Sequence, residues 1–258
     1  LPVEAVEARV ERALTQAFLN LEKYLRDLLK KIHKKEGVLV SDSFNITRLD
    51  NTLRSLRVEM DALGYREVIL QQLAGLEQLH YEILDKAKKM KLPAEFSRES
   101  QQAITMLLSG AEAELMAVAD QAAEEISQLL RRAILGGGDV ADLLTSISEK
   151  LGTKRHQAMT LIVTSLQAFN RTLTMRHAEE AGVEWFVYLG PQDSITREWC
   201  SHWVGRRGTK EDFEATASRW GHQKQPTPVI TWGGGWNCRH EFVPLVGDAV
   251  KKYPKGPR

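Results

Sequence analysis

Helical periodicity dominates this chain from residue 3 to residue 181 and leaves few ways for that stretch to fold. Val6, Val10, Leu14, Leu21, Leu25, Leu28 and Ile32 recur at steps of three, four or seven, which lines one face of a helix at 3.6 residues per turn. That predicts one long helix over 3–35, with the basic run Lys30-Lys31-Ile32-His33-Lys34-Lys35 at the negative end of its dipole and Gly37 as its stop. A second stripe, Leu49, Leu53, Leu56, Met60 and Leu63, starts near Asn45 and meets a possible breaker in Gly64. A third carries Val68, Ile69, Leu73, Leu76, Ile83 and Leu84 up to Pro93. A fourth begins near Ser97 and runs through Ile104, Leu115, Ile126 and Ile134 to Gly136-Gly137-Gly138, where further helix becomes costly. Asp139 then caps a short helix ended by Gly152, and Thr153 caps another that reaches about Ala181.

At Gly182 the pattern changes. Val183 to Leu189 is short, β-branched and aromatic, and reads as a strand broken by Gly190-Pro191. Thr209-Lys210-Glu211-Asp212 has the form of a capping box, with Gly221 closing its helix, and Cys238 to Val243 reads as a final strand. All six tryptophans and six of the eight prolines lie beyond residue 184. The expected class is therefore mainly α with a C-terminal α+β unit: a long-helix bundle followed by a compact Trp-rich domain. The expected segments are 1–135 (long helices for docking or assembly), 136–250 (a helical lead-in over 136–181, then the α+β unit 182–250) and a basic tail, 251–258.

Composition excludes little else. No apolar run approaches the length that crosses a bilayer, and Leu1-Pro2-Val3-Glu4 does not read as a secretory signal. The net charge of +1 is uneven. Residues 154–258 carry 15 Lys/Arg against 10 Asp/Glu, leaving 20 against 24 for residues 1–153. A mildly basic rear permits contact with nucleic acid without demanding it. The tail Lys251-Lys252-Tyr253-Pro254-Lys255-Gly256-Pro257-Arg258 reads either as a phosphate-contacting arm or as a solvated, disordered end.

Three constellations carry chemistry. Asp193, in Asp193-Ser194-Ile195-Thr196-Arg197, follows a Gly-Pro turn and reads as a cap or as an ion-pair partner of Arg197, with a catalytic acid as the alternative. Gly233-Gly234-Gly235 lacks the Lys-Ser/Thr ending of a P-loop and reads as a tight turn between Trp232 and Trp236. Cys200-Ser201-His202 and Cys238-Arg239-His240 are both C-x-H. The two cysteines, too few for a secreted disulfide framework, are open to three readings: free thiols, a disulfide, or a zinc site drawn from Cys200, Cys238, His240 and His202. We expect them to lie close in space in any of these. The other histidines read as ordinary helix or loop residues, and no zinc-protease or triad motif assigns a catalytic residue.

The order of these features resembles the phage minor head proteins, the Mu F-type head-morphogenesis family, over about residues 130–246. The residues that carry the likeness are Leu135-Gly136-Gly137-Gly138-Asp139-Val140, a helix with Thr164 and Asn170-Arg171, then Gly182 and Trp185. They continue with Asp193, Thr196, Arg197 and Cys200, then Gly205, Asn237-Cys238-Arg239-His240 and Pro244. The family often has a second cysteine soon after Cys200 and a C-R-C ending; here those places hold His202 or Trp203, and His240. The resemblance implies a non-enzymatic virion component inside the capsid near the portal, made in the host cytoplasm and aiding head assembly, DNA packaging or ejection. It further implies portal or major capsid protein as partner, several copies per particle, no membrane and no obligatory cofactor, zinc being the one candidate ion. The alternatives are a zinc-assisted hydrolase or nuclease and a nucleic-acid-binding module.

Overall fold

The computed structural model describes residues 3–90, 97–217 and 228–257. Helix α1 spans Val3–Lys30, and its buried residues follow the stripe read from the sequence. It ends before the periodicity predicts. Glu36 (φ 53°) and Gly37 (φ 85°) turn left-handed, so Lys34–Lys35 (β1) folds back antiparallel onto Val38–Leu39 (β2). The fully buried Asn45 side chain fastens this turn: it donates to the carbonyls of His33 (2.9 Å) and Val40 (2.7 Å) and accepts the His33 N–H. Asp42 caps α2 (Ser43–Met60) by accepting the Asn45 N–H. Gly64, at φ 118°, kinks the π-helical turn Asp61–Tyr65 that joins α2 to α3 (Arg66–Lys89).

Helices α4 (Arg98–Gly136) and α5 (Val140–Glu180) follow. Gly137 adopts φ 65° and the Gly138 N–H bonds the Ala133 carbonyl, ending α4 as the glycine run suggests. Asp139 caps α5 by accepting the Ala141 and Asp142 N–H groups. The break expected at Gly152 is absent. α5 runs straight through it, and Thr153 bonds back to the Glu149 carbonyl as an interior residue rather than a cap. Buried Ile147, Leu151, Ala158 and Ile162 on either side outweigh the roughly 1 kcal/mol that one helical glycine costs. The expected stops at Pro93 and Gly221 lie outside the described residues, as does Trp220.

The chain gathers into two compact units, neither continuous in sequence. One comprises Val6–Leu73 and Glu112–Leu161; the other comprises the described residues of Leu1–Ala5, Ala74–Ala111 and Ile162–Arg258. The first is a helical core. Tyr65 is buried, meets Phe18 edge-on and donates to the Leu115 carbonyl at 2.8 Å. Arg57 bridges Asp61 and Asp120.

In the second unit, the stretch after Gly182 is built of short elements. These are β3 (Trp185–Leu189), α6 (Glu198–Trp203), β4 (Arg207–Gly208), α7 (Lys210–Thr216), α8 (Val229–Trp232) and β5 (Glu241–Leu245). The strands form one antiparallel sheet, β4-β3-β5, with Tyr188 opposite Phe242. The closing strand begins at Glu241 rather than Cys238, because Asn237 turns left-handed at φ 56° and the next three residues serve the site below. Thr209 and Asp212 form the expected capping box of α7. Trp199 and Trp203 are fully buried among Tyr188, Phe213 and Phe242, and both indole N–H groups donate to the Thr216 hydroxyl. Trp185 lies under Arg207 and Lys255, and Trp232 meets Trp236 at the surface. The tail is not free over its described length. A 3-10 turn, Gly247–Lys252, is followed by backbone bonds from Arg207 N–H to the Pro254 carbonyl and from Gly256 N–H to the Arg207 carbonyl.

Since a Cβ at Gly152 meets open space in ordinary helix, Gly152→Ala should raise stability by about 0.5–1 kcal/mol. A shift of the urea midpoint to higher concentration checks this; a lower midpoint contradicts an uninterrupted α5.

Candidate functional site

The cysteines do come together. Cys200, on α6, and Cys238, before β5, are both buried, with their sulfurs 3.9 Å apart and not bonded. His240 is buried beside them, its Nδ1 3.6 Å from Cys238 Sγ. The Tyr188 hydroxyl, central in the sheet, sits 3.5 Å from Cys200 Sγ and 3.3 Å from Cys238 Sγ. Its ring stacks on the His240 imidazole, with centroids 5.1 Å apart. His202 does not join them: it lies on the exposed side of α6, 3.9 Å from Glu198. On a helix, residues two apart diverge in direction, so Cys200 and His202 cannot both face the core.

Arg171 explains why this loop folds as it does. Its side chain is fully buried, and its guanidinium donates to the backbone carbonyls of Thr231 (2.9 Å), Cys238 (3.1 Å) and His240 (2.9 Å). Thr164, seven residues earlier and so on the same face of α5, accepts the Asn237 N–H, and Thr172 bonds Thr231. One helix face thus grips both ends of the segment 231–240. Within it the glycine run permits close approach. A Cβ on Gly234 would overlap Cys200 Sγ, and one on Gly233 would crowd Cys238 Sγ and the Tyr188 hydroxyl. The Gly234 N–H donates to Cys238 Sγ at 3.1 Å.

These neighbours make the two sulfurs unequal. The bond to Cys238 pushes the Cys200 pKa up, an effect that burial reinforces. Cys238 receives that bond together with His240, the nearby Arg171 charge and Tyr188, which hold its pKa down. Burial pushes the Tyr188 phenol well above its ordinary value, with the cysteines adding to the effect. His240 Nε2 lies 2.8 Å from the Pro191 carbonyl, which can only accept. Nε2 therefore donates to it, and Nδ1 is the ring nitrogen that faces Cys238.

The polar half of the motif closes over this knot. Asp193 accepts from the Ile195 N–H and the Thr196 hydroxyl, holding the local turn rather than capping a helix, since α6 has Arg197 at its N-cap and no side-chain cap bond. Its ion pair is with Arg239 (2.8 Å), not Arg197, and that partner holds its carboxyl below the usual range. Arg197 instead donates to the Trp236 carbonyl. So Asp193, Thr196, Arg197, Cys200, Asn237, Cys238, Arg239 and His240 converge in one place, and Arg171, Tyr188 and Gly234 join them. The last three were not assigned to a site from the sequence. The available signal was a charged residue, Arg171, flanked by Phe169 and Leu173 on a helix stripe, and a triple glycine before a cysteine.

Comparison with protein-family models, curated proteins and solved structures finds no match.

Removing Arg171 leaves three buried carbonyls without this donor, so Arg171→Met should cost about 3 kcal/mol or more. Arg239 and Asp193 are partly exposed, so Arg239→Ala should cost less than about 1 kcal/mol. Urea unfolding followed by tryptophan fluorescence checks both; equal losses would contradict this division of roles.

Proposed function

We propose that this chain is a structural, non-enzymatic minor head protein of a phage virion. It resides inside the capsid near the portal and aids head assembly or genome delivery. The observation that carries this reading is the convergence of the residues behind the family resemblance. Asp193, Thr196, Arg197, Cys200, Asn237, Cys238, Arg239 and His240, far apart in sequence, form one knot gripped by Thr164 and Arg171 of α5. Convergence of this kind gives the motif order a physical reason: these residue types are needed together to lock a small domain.

A structural role also fits the chemistry of the knot. Asp193, the one candidate for a general base, is held by Arg239, Thr196 and a backbone N–H, and a carboxylate engaged in this way is a poor proton acceptor. Asp193 is therefore poorly suited to the base role that the hydrolase alternative gives it. For the nucleic-acid alternative, the described tail is folded back by the Arg207 bonds, which limits its reach to phosphate. In this reading the long helices present surfaces to portal or major capsid protein in several copies per particle.

Two measurements test it. Antibody or tag labelling of intact particles should locate the chain in the head interior, protected until the capsid opens. Pull-down from infected lysate should recover portal or coat protein. Recovery of metabolic enzymes alone, with no chain in purified particles, would overturn the proposal.

A further inference from the structure

We infer that Cys200, Cys238, His240 and Tyr188 form a structural site for one zinc-class ion, with the Tyr188 hydroxyl as its fourth vertex. Zinc binds thiolate sulfur at about 2.3 Å and imidazole nitrogen at about 2.0 Å, in tetrahedral geometry. A regular tetrahedron with those bonds has sulfur–sulfur edges of about 3.8 Å and sulfur–nitrogen edges of about 3.6 Å. The corresponding separations here are 3.9 Å between the two sulfurs and 3.6 Å from Cys238 Sγ to His240 Nδ1. An oxygen ligand at about 2.0 Å gives sulfur–oxygen edges of about 3.5 Å; the Tyr188 hydroxyl lies 3.5 and 3.3 Å from the sulfurs. The remaining edge to a sulfur, between the ligand atoms of Cys200 and His240, is within 4.8 Å, and tetrahedral coordination requires it to shorten.

The surroundings are those a metal site requires. His240 Nε2 donates to the Pro191 carbonyl, which orients the ring and leaves Nδ1 as the ligand atom. The Gly234 N–H already donates to Cys238 Sγ, a bond suited to a thiolate. Gly234 also carries no Cβ where one would overlap Cys200 Sγ. Two soft thiolates and an imidazole select zinc over magnesium or calcium. On loading, the protons that the thiols hold pass to solvent, and two thiolates match the ion's two positive charges. A cleft of about 210 Å³, lined by all three Cys and His ligands with Thr196 and Arg197, provides the entry path. The ion would thereby tie α6, β3 and the strand-leading loop into one unit, a clasp suited to a domain with few elements around its core.

The test uses the full chain purified without chelator. Elemental analysis should find about one zinc per chain. Cobalt titration of the zinc-free chain should give tetrahedral d–d bands with a thiolate charge-transfer band, and Cys238→Ser should lose both. Tyr188→Phe should keep the ion but shift the d–d envelope; an unchanged envelope overturns the fourth vertex. His202→Ala should leave stoichiometry unaltered; loss of the ion there overturns the ligand set. The site as a whole is overturned by wild-type chain that holds no stoichiometric metal and gives no thiolate–cobalt spectrum, or whose cysteines are recovered as a disulfide. The wild-type titration decides this even where a variant fails to fold.

Discussion

The guanidinium of Arg171 is the constraint on which the C-terminal knot depends. A fully buried positive charge is costly unless every donor finds an acceptor and a counter-charge lies near. Here three backbone carbonyls, from Thr231, Cys238 and His240, take up Nε and Nη1 while Nη2 is buried without a partner among the described residues, and the guanidinium charge helps to hold the Cys238 pKa down. The same residue therefore sets the path of the loop and contributes to lowering the pKa of its cysteine. It does so from α5, a helix of 41 residues, so the loop takes its shape from a rigid support.

The rest of the site follows from close approach. With the backbone pulled onto Arg171, Gly233 and Gly234 run so near the two sulfurs that a Cβ does not fit, and the Gly234 amide becomes a donor to Cys238. The sheet supplies Tyr188 from the opposite side, and Trp199, Trp203, Phe213 and Phe242 exclude water around it. In that low-dielectric setting a shared proton, an oriented imidazole and a buried phenol influence one another strongly. The exposed half, Asp193 with Arg239 and Thr196, shapes the entrance and adds little stability. A domain of short strands and short helices gains its rigidity here from polar knotting as much as from apolar burial.

The helices were legible because their signals are local. The stripe of α1, the caps at Asp139 and Thr209 and the glycine stop of α4 each depend on neighbours within a few residues, and each appears as expected. Where local rules fail, a tertiary interaction has won. Gly152 stays helical because flanking apolar residues are buried. The end of α1 moves because Asn45 pins the turn after it.

For the site, the sequence by itself determined the cast: two cysteines in C-x-H settings, an aspartate after a Gly-Pro turn, a glycine run, and tryptophans confined to the last third. Only the tertiary structure decided the pairing. It brought His240 and not His202 to the sulfurs, Arg239 and not Arg197 to Asp193, and recruited Tyr188 and Arg171. Periodicity is written into each segment. Which buried charge meets which carbonyl, and which side chain reaches a sulfur, depends on distances between segments far apart in the chain, and those exist only once the sheet closes on α5.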